Sequence, residues 1–414
     1  MRRDNAICTG WTIGSRIMIL ERRHLLLGIG AQALLGGRVS AQDVTLPFAN
    51  GVRPLVRYPG KRPLIGLTSR PPQLETPFGV FNETLLTPND AFFVRYHMSD
   101  IPLSIDMAAW RLTIGGHVAR PLSLSLDDLK RQFTPTDIVA VNQCSGNSRG
   151  FFSPRVGGGQ LGNGAMGNAR WTGVPLKAVL EKAGVKSGGK QVTFNGLDNP
   201  PAPDMPDFVK ALDLDHATDG EVMLAWAMNG EDLPFLNGYP LRLVVPGYFG
   251  TYWVKHLSDI AVLDAPFEGY WMKTAYRVPD NDCQCVPVGE KPAATRPIGT
   301  FAVRSFLTSH ADGATVSGAD ATILSGIAFD GGSGIAKVEL SLDGGRQWVA
   351  ARLGDDLGRY AFRPWTLVLR LPRGAQAVQV RATAVSGETQ PMEPLWNPAG
   401  YLRNVVETVR LRVA

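Results

Sequence analysis

The stretch "DIVAVNQCSGNSRG", residues 137–150, runs from an apolar segment straight into a row of small and polar residues with one thiol, Cys144, among them. The first half, rich in β-branched residues, reads as a buried strand. The second half reads as a loop at the strand's end, the place where a rigid scaffold presents functional groups. Cys144 has three readings: a buried structural thiol, a nucleophile needing a base brought close by the fold, or a metal ligand. A loop built from Asn142, Gln143, Ser145, Gly146, Asn147, Ser148 and Arg149 is poor apolar packing, which weakens the first. One thiolate is too few for zinc or an iron–sulfur cluster, and no His or Cys companions stand at ligand spacing. A metal held there would bring most of its coordination sphere with it.

Outward from this loop the pattern is α+β without βαβ alternation. "AFFVRYHM" (91–98) and "WRLTIGG" (110–116) are strand-like, and "SLDDLKRQF" (125–133) opens a helix with Ser125 and Asp128 at capping-box spacing. "VPLKAVLEKAGV" (174–185) places Leu176, Val179, Leu180 and Ala183 on one helical face and ends at Gly184. "KQVTFNG", "EVMLAWAMNG" and "YPLRLVVPG" are further strands. Residues 42 to about 90, rich in Pro and Gly, read as an extended arm over a core. After a Pro-rich stretch near 287–297 the pattern changes to short alternating strands, with "DGG" as a hairpin signal. Several strands without a helix point to an antiparallel sandwich of immunoglobulin type. The expected organisation is residues 1–41 as an export signal, 42–292 as an α+β catalytic domain, and 293–414 as an all-β immunoglobulin-like domain.

A chain of 414 residues is long enough for two such cores. With 44% hydrophobic and 19% charged residues it is globular rather than disordered. The formal charge of +5, without a Lys/Arg block, sets nucleic acid aside and is compatible with a small anionic substrate. From Met18, "MILERRHLLLGIGAQALLGGRVSAQ" holds Arg22 and Arg23, a short apolar run and Val39-Ser40-Ala41. This is a twin-arginine export signal too short to anchor the mature chain, implying a periplasmic protein exported folded, with the true start at Met1 or Met18. The other cysteines are Cys8, Cys283 and Cys285. A Cys-x-Cys pair is too close for easy disulfide geometry, and without Cys-x-x-Cys-His no c-type haem is attached to this chain.

Arg95, Arg149 and Arg170 lie around Cys144 in sequence order, planar cations suited to an oxyanion or phosphate. "FFVRYH" (92–97), "VNQCSGNSRG", "GNARWTGVPLKAVLEKAGV" (167–185), "NGYPLRLVVPGYFGTYWVKHL" (237–257), "WMKTAYRVPDNDC" (271–283), "LSLDGGRQW" (340–348) and "EPLWNPAGYLRN" (393–404) together resemble the sulfite oxidase family of molybdenum–molybdopterin enzymes. The likeness runs over nearly all of residues 75–414, with bacterial periplasmic sulfite dehydrogenases as the nearest pattern. It implies a sulfite-oxidase-type molybdopterin domain followed by a dimerisation-type sandwich. It makes Cys144 the molybdenum ligand and Arg95, Arg149 and Tyr276 the sulfite pocket. Phe93, Val94, Arg95, Tyr96, His97, Arg170, Asp198, Asn237, Arg242, Trp253, Val254 and Lys255 would surround the pterin and its phosphate.

Two departures stand out: Asn237 replaces a His of the animal members, and Ala399 replaces an arginine of the C-terminal domain. The second removes a cation from the anion site unless Arg277 or another substitutes. The resemblance implies sulfite oxidation with one molybdenum per chain and a c-type cytochrome as separate electron acceptor. The protein would be a homodimer through its C-terminal domain or a tight complex with a cytochrome subunit. Rival readings are a sulfane dehydrogenase of a thiosulfate-oxidising system, a periplasmic reductase of oxidised methionine, and a non-enzymatic exported anion-binding protein.

Overall fold

The computed structural model describes residues 43–45 and 51–414; the expected export signal, with Cys8, Arg22 and Arg23, lies outside the described residues. Among these residues most of the regular structure is strand, with four short α-helices. The Pro- and Gly-rich arm is more ordered than its composition suggests. Strands β1 (Asp43–Thr45), β2 (Val52–Val56), β3 (Leu64–Ser69) and β4 (Pro72–Glu75) form an antiparallel meander. Its last neighbour is β5 (Val94–Arg95), the short strand that forms within "AFFVRYHM". The prolines sit where they cost no ladder bond, as with Pro72 at the first position of β4. Leu64, Leu74, Val94 and Tyr96 make a small core of their own beneath this sheet.

A second sheet runs in the order β11 (Lys210–Asp213), β10 (Gln191–Asn195), β15 (Asp259–Leu263), β6 (Leu112–Gly116), β7 (Leu122–Leu124), with β15 and β6 parallel. A third places β13 (Glu231–Asp232), β12 (Met223–Met228), β9 (Met166–Pro175) and β8 (Thr136–Gln143) side by side, with β14 (Arg242–Val244) on β12. The helix α1 (Leu126–Gln132) begins as its spacing predicts: Ser125 accepts from the Asp128 amide and Asp128 from the Ser125 amide. The helix α2 (Leu176–Ala183) buries Leu176, Val179, Leu180 and Ala183 and stops at Gly184, whose φ of 70° suits glycine. Two one-turn helices, α3 (Leu214–Ala217) and α4 (Tyr270–Lys273), follow.

After the small ribbon of β16 (Arg277–Pro279) and β17 (Thr295–Pro297), two sheets pack around a separate apolar core. One is β18 (Arg304–Leu307), β20 (Thr322–Phe329), β24 (Arg363–Leu369), β23 (Arg352–Leu353); the other is β19 (Thr315–Val316), β26 (Glu407–Val413), β25 (Gly374–Ala384), β21 (Ile335–Ser341), β22 (Val349–Ala350). The "DGG" turn joins β21 to β22, with the Asp343 carboxylate accepting the Arg346 and Gln347 amides. The main core crosses from the α+β part into this sandwich: Ile298, Phe301, Phe306, Phe329 and Tyr401 belong to it.

Cys283 and Cys285 form a disulfide, contrary to the expectation from their spacing. Gln284 takes φ 50°, which turns the chain back and sets the two Cα atoms 5.1 Å apart, inside the bonding range.

Candidate active site

Cys144 is the first residue beyond β8, and its amide donates to the Ala165 carbonyl at 2.9 Å. The turn after it is pinned from two sides. The Asn147 side chain accepts the Ala165 amide at 3.0 Å, and Ser148, at φ 69°, donates its amide to the Gly162 carbonyl at 2.6 Å. Behind Ser148 lies Arg304 of β18, 2% exposed, donating to the Ser148 hydroxyl (2.8 Å), the Asn163 carbonyl oxygen (3.3 Å) and the Glu407 carboxylate (3.0 Å). Arg403 also pairs with Glu407. The next residue, Arg149, lies between glycines: a Cβ at Gly146 or Gly158 would come within 2.9 or 2.6 Å of its Nη1. Its Nε donates to the Ala399 carbonyl at 3.1 Å and its guanidinium covers the Tyr401 ring.

A cleft partly open to solvent lies before Cys144. The pleat of "FFVRYH" decides which side chains reach it. Phe93, Arg95 and His97 line the cleft, whereas Val94 and Tyr96 alternate away into the small core under the first sheet. Of the five residues expected around the pterin, Val94 and Tyr96 are thus not among those whose side chains line the cleft. His97 stacks on Phe208 with ring centroids 3.8 Å apart and shares a hydrogen bond with the Tyr276 hydroxyl. Burial, then the charges of Arg95, Lys255 and Lys210, hold the His97 ring well below its ordinary value, so it is neutral. Tyr276, at φ 57°, stacks on Tyr401. Burial raises its hydroxyl, the Arg95 and Arg149 charges oppose that rise, and the Cys144 sulfur adds to it. Cys144, Arg95, Arg149 and Tyr276 therefore share one electrostatic neighbourhood.

Deeper in the cleft, Arg242 is held between the Trp171 and Trp253 rings, 4.8 and 5.5 Å from their centroids, and donates to the Asn237 carbonyl at 2.8 Å. Lys255 donates to the Arg95 carbonyl at 2.7 Å and stands 4.1 Å from the Tyr96 ring centroid. Burial lowers Arg242 to about 9 and Lys255 to about 7, the second despite the nearby Asp198 carboxylate. Asp198 is itself raised by burial. Among the described residues none of Arg95, Arg242 and Lys255 forms an ion pair. Cations withdrawn from water, with Asp198 as the one carboxylate acting on Lys255 and none paired with Arg95 or Arg242 among the described residues, are costly in an isolated chain and are matched by an anionic occupant. Four polar atoms of the lining, Asn142 Oδ1, Ser145 Oγ, Arg242 Nε and Thr251 Oγ1, are buried without a hydrogen-bond partner. A polar, anionic group fits these walls. Among the described residues no cluster of three or more His, Cys, Asp or Glu stands ready for a metal; the cleft presents a single thiol, Cys144.

Two family models match the chain: the oxidoreductase molybdopterin binding domain over residues 97–271 and the Mo-co oxidoreductase dimerisation domain over residues 295–414. The mitochondrial sulfite oxidase of Macaca fascicularis is 33% identical over 396 residues, 91% of this chain and 71% of the relative. The chain belongs to the sulfite oxidase family of molybdopterin enzymes. The sulfite oxidase of Gallus gallus is 35% identical over 379 residues, 88% of this chain and 80% of the relative. The crystal structure of the sulfane dehydrogenase SoxCD from Paracoccus pantotrophus superposes with a TM-score of 0.70 at 25% identity, covering 95% of each chain. As a member of this family the protein is an oxidoreductase that uses a molybdenum–molybdopterin cofactor to oxidise sulfur compounds.

Of the residues expected around the cofactor, Phe93, Arg95, His97, Cys144, Asp198, Asn237, Arg242, Trp253, Val254, Lys255 and Tyr276 all line the cleft. Arg170 does not. On β9 it alternates outward while Trp171 turns in, and at 45% side-chain exposure it faces Asp137 at 3.8 Å. Asn237 has its amide engaged within the protein, accepting from Lys61 (2.5 Å) and donating to the Phe93 carbonyl (3.0 Å). Arg277 does not replace the cation missing at Ala399, because its guanidinium binds the Met272 carbonyl and Thr295. Ala399 contributes through its backbone instead, by receiving Arg149. Sequence reasoning missed Thr251, Phe208, Lys61 and Lys210. "GYFGTYW" offered a signal for Thr251, as a small polar residue inside an aromatic run; the buried lysines offered none.

Proposed function

We propose that the protein is a periplasmic sulfite dehydrogenase, oxidising sulfite to sulfate and passing the electrons to a c-type cytochrome. The observation that carries this reading is that Arg95 and Tyr276 line the same cleft as Cys144, while Arg149, held on the Tyr401 ring just outside the lining, adds its charge at Tyr276. Two guanidinium groups and a phenol suit a small oxyanion in a low-dielectric cleft. Cys144 would hold molybdenum, and Arg242, Lys255 and the unpartnered Asn142, Ser145 and Thr251 groups would hold the pterin and its phosphate. When bound, that cofactor supplies the two-electron oxidation and the oxygen the substrate gains. Arg95 and Arg149 would bind and orient the anion. Neutral His97 would fix the Tyr276 hydroxyl, and the aromatic side chains of Phe208 and Trp253 in the lining would limit water. Sulfite gains one oxygen drawn from water, and two electrons and two protons leave.

Residues 42–292 would be the catalytic domain and 293–414 an immunoglobulin-type domain for pairing with a second copy or a cytochrome subunit. The Arg22-Arg23 signal supports export in the folded state, and no helix among the described residues is long and apolar enough to cross a membrane. The likeness to a sulfane dehydrogenase makes a sulfane-bearing substrate the second reading. Steady-state oxidation of sulfite, thiosulfate and a sulfane-bearing thiol, with ferricyanide and then a c-type cytochrome as acceptor, separates the two. Turnover of the sulfane compounds without sulfite turnover would refute the first.

A further inference from the structure

Lys210 opens β11 at the edge of the second sheet and is fully buried. Its ammonium has one hydrogen-bond acceptor among the described residues, the Trp271 carbonyl in α4, at 2.6 Å. Among the described residues it makes no ion pair. Two aromatic faces lie against it, Tyr252 with its ring centroid at 4.6 Å and Tyr276 at 5.2 Å, and its charge reaches His97. A lysine stem could be buried at this strand position with a methyl end, and burying an ammonium with one carbonyl partner costs several kcal/mol. The charge stands where it can act on the site: behind the Tyr276 ring, whose hydroxyl lies at the cleft and bonds His97. The Trp271 carbonyl that it grips belongs to the turn leading directly into Tyr276.

We propose that Lys210 is a positioning residue for Tyr276: its ammonium clamps the end of α4 and places a positive charge against the back of the phenol, strengthening the hydroxyl as a donor to an oxyanion in the cleft. A cation on the ring face stabilises negative charge drawn toward the phenol oxygen, and does so strongly in a dry site. Burial lowers Lys210 to about 7, and an anion in the cleft favours its charged form, so substrate and ammonium reinforce one another. The role rests on the sulfite reading above for the identity of the oxyanion.

The test compares wild type, Lys210→Met and Lys210→Arg by four measurements: sulfite kinetics, molybdenum content, thermal unfolding of the metal-free protein, and sulfate affinity of the metal-free protein by calorimetry. Lys210→Met is expected to lower kcat/KM for sulfite about tenfold, ~1.4 kcal/mol of transition-state stabilisation. It should weaken sulfate binding several-fold while molybdenum content is unchanged and Tm is equal or higher, since an apolar isostere relieves a buried charge. Lys210→Arg is expected to restore part of both losses. Unchanged kinetics and sulfate affinity in Lys210→Met would overturn the role. So would a loss that tracks lower Tm and lower molybdenum content and is not rescued by arginine. Absence of sulfite turnover in the wild type would count against the substrate reading alone, and the sulfate comparison would then decide the role of Lys210.

Discussion

Replacing Glu407 by Gln removes the counter-charge of a guanidinium that is almost wholly buried. Arg304 and Glu407 lie 3.0 Å apart, with side-chain exposures of 2% and 7%. At an effective dielectric near 20, two unit charges at that distance attract by about 5 kcal/mol, and removing one partner of a buried pair typically destabilises by ~3–5 kcal/mol. Arg304 retains the Ser148 hydroxyl and the Asn163 side chain, which places the expected loss near the lower end, ~3 kcal/mol. The substitution also leaves Arg304 and Arg403 facing each other without the carboxylate between them. At roughly 1.3 °C per kcal/mol for a chain of this size, Tm should fall by about 4 °C in a scan of the metal-free protein. Because Arg304 supports Ser148 and Ser148 leads into Arg149, KM for sulfite should rise as well. The double variant Arg304→Met, Glu407→Met should recover most of the stability, since no unpaired charge remains. A single variant within about 0.5 kcal/mol of wild type, or a double variant as unstable as the single, would refute the assignment of the pair as a coupled clamp.

Three further outcomes are expected. Cys144→Ser should retain the far-ultraviolet dichroism of the wild type while turnover is lost, and full activity would remove Cys144 from its role as metal ligand. Arg95→Gln should raise KM for sulfite by about tenfold or more, the scale of one charge-assisted hydrogen bond, with a smaller change in kcat; an unchanged KM would exclude Arg95 from the anion site. His256 is held at about 4 by burial, although its bond to the Tyr239 carbonyl opposes the shift. The unfolded chain binds the proton first, so stability is full above an unfolded value near 6.5 and is lost as pH falls toward 4, by ~3 kcal/mol in all. Urea midpoints measured across that window should fall with pH in the wild type and less steeply in His256→Gln; equal slopes would exclude His256 as the source.

Local chemistry made the helices and the cysteine loop readable. Ser125 with Asp128, and the apolar stripe of α2 ending at Gly184, carry short-range signals that the tertiary structure leaves intact. The strand end at Cys144 was readable for the same reason, as an apolar run meeting polar residues. Period-two alternation, applied within "FFVRYH", already separates Arg95 and His97 from Val94 and Tyr96, and applied to β9 it separates Trp171 from Arg170. A family likeness assigns roles to positions and does not respect that pleat. The N-terminal meander was hidden because its prolines and glycines suggest a loop, while its pairing partners lie along the chain in short pieces. The Cys283–Cys285 bond depended on the left-handed backbone of Gln284, which residue identity does not announce. Lys61, in the loop before β3, and Lys210, at the start of β11, were unreadable because a lysine is ordinarily an exposed residue, and their burial arises only from elements distant in sequence.

The grip of Arg304 on the cysteine loop also bears on the order in which the molecule can be assembled. Ser148 and Arg304 are separated by 156 residues, and Arg304 and Glu407 by a further 103. The strands that carry the thiol can pair early, but the turn between Cys144 and Arg149 lacks its backing until β18 and β26 have docked. During synthesis the pocket would thus remain unset through most of elongation. The cysteine loop would take its final shape only when the last strands dock, although the strands that carry it come far earlier in the chain.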